Sequence, residues 1–154
     1  MKILVIGDSC TDVFVYGQID RLCPEAPVPI FQPVSQKENG GMARNVKNNL
    51  VALGADVHII SNENDVCGRI ENLRDMSFSD YDAIVISDYD KGFLHVDDIQ
   101  YICEKYEDVF IDTKKEIDDW IMNVKFIKIN SIEYNNNVKY IKKNNNWLND
   151  KLIV

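Results

Sequence analysis

Five short constellations hold the polar groups with which this 154-residue sequence could do chemistry: Gly7-Asp8 with Asp12, Gly40-Gly41 with Asn45, Asp88 with Lys91-Gly92, Asp112 with Lys114, and Asn130 with Glu133. Carboxylates and amides suit hydroxyl-rich ligands: Asp12 can accept from two sugar hydroxyls, and Asn45 can both donate and accept. The competing reading makes Asp12 a turn cap and Asn45 a surface helix residue. The glycine pair lets backbone approach a ligand near the amino end of a helix, or simply forms the turn before it. Lys91 and Lys114 are either point charges for phosphate or solvated surface lysines. Asn130 and Glu133, three apart, share one helix face and could organise a hydrated magnesium beside phosphates; alternatively, Asn130 or Ser131 is an N-cap.

Several chemistries are excluded. The sequence has no G-x-x-x-x-G-K-[ST], no G-x-G-x-x-G after its first strand and no G-x-S-x-G, which removes the P-loop, dinucleotide and nucleophile-elbow classes. Cys10, Cys23, Cys67 and Cys103 are dispersed, with no C-x-x-C, so they read as thiols, mostly buried, rather than as a zinc site or a disulfide framework. His58 and His95 lack an accompanying Ser or Cys motif and read as structural. Lys+Arg 17 against Asp+Glu 25 gives a net charge of -8, which argues against a general binder of nucleic acid or of anionic membrane. An anionic substrate then needs a local positive site. No apolar run reaches the length of a bilayer span, and the start, Met1-Lys2-Ile3-Leu4-Val5-Ile6-Gly7-Asp8, meets an acid too early for a signal peptide. The cytoplasm is the expected compartment.

The elements that must position these groups alternate in type. Lys2 to Gly7 and Asp82 to Asp88 are apolar, β-branched runs ending in acids, as buried parallel strands are. Three prolines between Pro24 and Pro29 forbid a helix and fit edge strands or a flap over a site. Met42, Val46, Leu50 and Leu53, with Gly54 as a stop, predict an amphipathic helix, and Ala55 to Ile60 the next strand. Ser61 to Asp80 reads as an irregular connection with one short helical turn. A helix through Val96, Ile99, Ile102 and Cys103, a strand at Val109 to Asp112, a helix over Glu116 to Met122 and a strand at Lys125 to Ile129 continue the rhythm. Leu152-Ile153-Val154 reads as a strand just beginning. The whole predicts one α/β domain over residues 1–154 with a mainly parallel sheet, whose ligands bind at the carboxyl ends of the strands. Asp8, Asp88, Asp112 and Asn130 fall at such ends.

Taken together the segments resemble the ribokinase-like (PfkB) carbohydrate kinases, and within them the heptose-7-phosphate kinase domain of ADP-heptose synthesis. The strings that carry the resemblance are "ILVIGDSCTDVFVY", Arg21 to Pro29 with its "CPEAPVP", "GGMARNVKNNLVALGA", "VISDYDKGFL", "IDTKK" and "INSIE". The resemblance implies a lid over residues 12–35, contacts of Asp12, Gly41 and Asn45 with the sugar, and Lys114 near the phosphate region. It also implies that Asn130 and Glu133 position Mg-ATP, with Glu133 acting on the metal through water. The activity implied is transfer of the γ-phosphoryl of ATP to a hydroxyl of a sugar or sugar phosphate. Against the family pattern, the connection at 62–80 is short, Asp90 and Lys47 replace smaller residues, and no Gly-Ala-Gly-Asp occurs. That motif supplies the family's base and anion hole. Activity is therefore expected to need a separately encoded C-terminal half, the alternative being a non-catalytic sugar-binding remnant or pseudokinase subunit. Unpaired edges of such a sheet also predict self-association.

Overall fold

The computed structural model describes residues 1–62, 68–148 and 150–153, with the backbone alone given for 145, 147, 152 and 153. Strand β1 (Lys2–Gly7) lies second from the edge of a six-stranded sheet with β4 (Asp56–Ser61), β5 (Ala83–Asp88), β6 (Val109–Thr113), β7 (Phe126–Lys128) and β8 (Leu152–Ile153), in the order β4-β1-β5-β6-β7-β8. Every neighbouring pair is parallel. Strands this apolar can sit in a parallel sheet only if both faces are covered, because successive side chains leave on opposite sides.

The two faces are covered unequally. On one, Leu4, Ile6, Ile84, Ile86, Ile111 and Ile127 form the large core with α2 (Val96–Lys105), α3 (Ser131–Lys143) and the single-turn helix α4 (Asn145–Leu148) on that side of the chain's crossovers. On the other, Ile3, Val5 and Val57 pack beneath α1 (Ala43–Ala52) through Ala43, Val46 and Leu50. Beyond α1 this second face carries Phe110 and Phe126, stacked at 5.3 Å and half-buried.

Between β1 and α1 the chain leaves the sheet as an antiparallel ribbon, β2 (Ser9–Leu22) and β3 (Pro29–Met42). The extended, proline-containing stretch is thus a hairpin. It reaches beyond residues 12–35 at both ends because pairing continues to the root, where Ser9 lies opposite Met42. Pro29 and Pro33 are tolerated since each ribbon strand has a free edge.

Most predicted elements form, with three differences. Glu116 to Met122 makes only a single 3-10 turn, Asp119–Ile121, instead of a helix. Asp118 caps that turn at once through Asp119 N–H, Asn137 takes up the Ile117 N–H, and Ile117, Trp120 and Ile121 are buried side by side, which uses the stretch as a core plug. Leu53 is left out of the α1 stripe and is 84% exposed, since the helix ends at Ala52 and Gly54 turns away at φ 88°. Of the cysteines, only Cys103 is buried, with Cys10 and Cys23 half-buried and Cys67 outside the described residues. Burial pushes the Cys103 thiol up to about 12, which leaves it unreactive. The irregular 61–80 stretch contains the single turn Leu73–Asp75, although its residues 63–67 lie outside the described ones. Among the described residues no helix is long and apolar enough to cross a membrane.

The two environments should respond differently to truncation. Ile86→Ala, at a fully buried β5 position, should destabilise the protein by about 2–5 kcal/mol in chemical denaturation, whereas Leu53→Ala, at the exposed end of α1, should change stability by less than about 0.5 kcal/mol.

Candidate functional site

At the carboxyl ends of β1, β5, β6 and β7, acids that end the strands are turned inward to hold the next loop. Asp8, 1% exposed, accepts the Tyr89 N–H at 2.7 Å and the Lys91 N–H at 3.5 Å through Oδ2, tying β1 to the loop after β5. Its carbonyl accepts the Ala43 N–H at 2.9 Å, which fixes the start of α1 over the same end. One strand along, Asp88 accepts from Thr113 Oγ1 at 2.6 Å and from Lys115 Nζ at 3.2 Å, tying β5 to the loop after β6. Lys114 then reaches Glu133 Oε1 at 2.5 Å, tying β6 to the start of α3. Among the described residues the buried side-chain atoms without a protein partner are Asp8 Oδ1 and Ser9 Oγ, so the polar deficit of the fold falls at this edge.

The residues singled out in the sequence form two groups. Asp12 and Gly41 meet at the ribbon root: a Cβ on Gly41 would stand 2.6 Å from Asp12 Oδ2 and closer still to Cys10 Sγ, so only glycine lets the carboxylate close against the backbone. Asp12 itself remains exposed, and the Cys10 thiol lies 3.5 Å from its Oδ1. Asn45 is exposed in the first turn of α1, which follows directly from Gly41 and Met42. The second group is Lys114, Asn130 and Glu133. Asn130 caps α3, its Oδ1 accepting from Ile132 and Glu133 N–H, while Glu133 accepts from Asn130 N–H at 2.8 Å and from Asn130 Nδ2 at 2.8 Å. The spacing of three that puts both on one face has therefore produced a capping box. Asp8 and the 88–92 loop connect the two groups, with Lys114 Nζ 5.7 Å from the Tyr89 ring centre.

The electrostatics follow from these contacts. Burial alone would raise the Glu133 carboxyl, but hydrogen bonds from Lys114 and from the Asn130 backbone, with the Lys114 charge, outweigh it and hold the group below its ordinary value. The hydrogen bond to Glu133 in turn raises the Lys114 ammonium. As a magnesium contact Glu133 fits only through water: Oε1 already serves two donors and Oε2 one, and among the described residues no cluster of three acids, histidines or cysteines could hold a metal directly.

Two features were not anticipated. Lys115, next to the expected Lys114, is the more enclosed lysine, with its ammonium on Asp88 and Asp90. Burial lowers its pKa and the two carboxylates more than reverse that, so it stays charged. The sequence held a signal in Asp90, which sits in the left-handed region at φ 56°. Met42 is the other: at φ 54°, ψ -126° it occupies a conformation that glycine takes freely and a side chain does not. The two histidines are structural, His58 Nδ1 lying 2.9 Å from Tyr81 Oη and His95 capping α2 in a box with Asp98.

This is a mainly parallel α/β protein with its polar candidate site at the strand ends and at the root of an antiparallel ribbon. The chain is 50% identical over 58 residues to the Bifunctional protein HldE of Helicobacter acinonychis (strain Sheeba), covering 38% of this chain and 12% of that protein. It is 27% identical over 198 residues to the Bifunctional protein HldE of a Nitratiruptor species, covering 93% of this chain and 43% of that one. It is 39% identical over 74 residues to the D-beta-D-heptose 7-phosphate kinase of Bordetella bronchiseptica, covering 47% of this chain and 24% of that enzyme. No family model matches the chain. The matches thus take in less than half the length of these relatives, and the relationship they support is heptose kinase-like. The 198 aligned positions outnumber the chain's 154 residues, so the Nitratiruptor relative has residues inside the aligned stretch that this chain lacks.

Strain and charge at the site can each be measured through stability. Met42→Gly should stabilise the protein by about 1 kcal/mol, read as a higher denaturation midpoint, by removing backbone strain at the start of α1. Glu133 returns to its ordinary value of 4.5 on unfolding, so its stabilisation is complete above that pH and is lost as pH falls through the lower folded value. Acid titration of stability should therefore be shallower in Glu133→Gln than in the unmodified chain.

Proposed function

We propose that this chain is a ribokinase-like (PfkB) sugar-phosphate kinase component that binds a phosphorylated sugar of the heptose 7-phosphate kind, with ATP as phosphoryl donor. The observation that carries the reading is the closure of Asp12 on Gly41 at the ribbon root, two residues before the α1 start that Asp8 fixes. In this reading Asp12 accepts from sugar hydroxyls, Gly41 keeps the Asp12 carboxylate at the ribbon root by carrying no side chain there, and Asn45 adds an amide from the first turn of α1. Lys114 meets the polyphosphate, and Asn130 and Glu133 keep Lys114 and the α3 amino end in place. Magnesium, when bound with ATP, neutralises charge on the phosphates. The relatives' names support the substrate class, and the ribbon corresponds in this reading to a lid. The short connection at 62–80 is where we put the residues that the Nitratiruptor relative has in addition.

Transfer also needs a base for the attacking hydroxyl and donors for the developing charge, and no Gly-Ala-Gly-Asp supplies them here. The reading therefore assigns the base and those donors to residues outside these 154. A second reading is a sugar-binding subunit without turnover. The cytoplasm, where ATP and sugar phosphates are found, is the compartment that fits either one.

Self-association belongs to the same reading. Nine large apolar side chains between Val13 and Val34 are 45–72% exposed on the ribbon, and a two-stranded ribbon alone is marginal in water. Their exposed surface, on the order of 900 Å², is divided between the two sides of the ribbon, since neighbours such as Val13 and Phe14 leave in opposite directions. We assign this surface to a second copy, which leaves the sheet edges at β4 and β8 as weaker candidates.

Calorimetry with D-beta-D-heptose 7-phosphate should give saturable binding, weakened at least about tenfold in Asp12→Asn through loss of charged hydrogen bonds. Binding equal in the variant would overturn the site assignment. Adding Mg-ATP separates the two forms of the proposal, since ADP release marks a complete site and its absence a binding subunit. Light scattering should report a dimer that Phe31→Asp dissociates; a monomeric unmodified chain would refute the ribbon interface.

A further inference from the structure

The two sides of the ribbon root differ in chemistry. Successive strand residues point to opposite sides, so Cys10 and Asp12, which close on Gly41, leave Thr11 on the other side, opposite Gly40. There Thr11, Glu38 and Gly40 of the ribbon and Arg44, Lys47 and Asn48 of α1 border an open hollow of about 400 Å³. Arg44, Lys47 and Asn48 are spaced three and four apart from Arg44 and share one helix face. The Arg44 stem lies over Gly40, where an added Cβ would stand 2.7 Å from Arg44 Cβ, so the guanidinium is carried across the ribbon root.

Arg44 and Lys47 are both half-buried, and among the described residues neither has a carboxylate within ion-pair distance. Lys115, similarly enclosed at the strand ends, has two. Partial burial costs a cation some of its hydration, which an opposing charge offsets. In a protein of net charge -8, two such cations facing one hollow are a local reversal of sign. Among the described residues the one acid on the rim is Glu38, whose Oε1 accepts from Gln36 Nε2 at 2.9 Å.

We propose that this hollow is a binding site for a phosphate group, held by Arg44 and Lys47 with Thr11 and Asn48 as neutral partners, which fastens the ribbon root to α1. It lies on the side of the ribbon away from Asp12 and does not depend on the sugar contact. Inorganic phosphate and the phosphate end of a sugar phosphate share this chemistry, and the two are tested separately.

The experiment is an amide NMR titration of the full chain at about 0.15 M salt, where long-range attraction is largely screened. Inorganic phosphate should give saturable shifts at Thr11, Gly40, Arg44, Lys47 and Asn48 with an apparent Kd on the order of 1 mM, as suits so small a ligand. Arg44→Gln with Lys47→Gln should weaken this at least about tenfold, and Glu38→Gln should tighten it several-fold by removing the one like charge. The spectrum of each variant also reports that it is folded. Asp12→Asn should leave phosphate binding unchanged. If D-beta-D-heptose 7-phosphate shifts the same five amides more tightly than inorganic phosphate, the phosphate end of the sugar is the source; equal affinities make it free phosphate. Absence of saturable shifts there, or shifts undiminished in the double variant, would overturn the proposal. Sugar binding lost only in Asp12→Asn would then leave the proposed function standing, and phosphate binding without any sugar binding would do the reverse.

Discussion

The carboxyl edge of the sheet depends on carboxylates buried where strands end. Asp8, Asp88 and Glu133 each accept donors from the loop or helix start of a neighbouring strand, so that β1, β5, β6 and α3 are linked in series by charge-assisted hydrogen bonds. Parallel strands need this more than antiparallel ones. Their connections leave from one edge together, and nothing in the ladder itself sets how adjacent loops lie. A buried carboxylate without donors would be costly, so the loops are held wherever those donors must stand. The same links settle which polar groups remain for a ligand. Glu133 and Asp88 are spent on lysines and amides, whereas Asp12 is left exposed beside a glycine.

The rest of the molecule is unequal around that edge. One face of the sheet is filled by a continuous isoleucine-rich core, and the other is covered by α1 only over β4, β1 and β5. The ribbon projects from the same edge with an apolar surface that its two strands cannot bury between themselves. Surfaces of this kind and size on a soluble protein are those that other chains cover. Both the ribbon and α1 start from the joint where Asp8 and Ser9 lie against Met42 and Ala43, so whatever binds or docks there acts on backbone already strained at Met42.

Strands and strand ends were legible because a buried parallel strand writes itself as an uninterrupted apolar run closed by a polar residue, as in Ala83 to Asp88. The helix at Ser131 was legible through Asn130 and Glu133, yet their spacing serves a cap and a ligand contact equally, and the geometry made it a cap. Glu116 to Met122 misled because Ile117, Trp120 and Ile121 have helical spacing, while Asp118 captures the Asp119 N–H locally and Asn137 captures the Ile117 N–H from α3. Lys114 and Lys115 could not be told apart from composition, since their difference lies in which side of β6 each leaves and what waits there. Met42 gave no sign of its backbone conformation, because methionine at a helix start is ordinary in every respect except the φ that the ribbon root imposes.

The most direct test of the sugar site is a crystal structure of the chain with D-beta-D-heptose 7-phosphate at saturating concentration. The sugar should lie at the ribbon root with its hydroxyls on Asp12 and within reach of Asn45, and with the Asp8, Asp88 and Glu133 links unchanged. A sugar bound elsewhere on the molecule, or a ribbon root that stays empty, would contradict it.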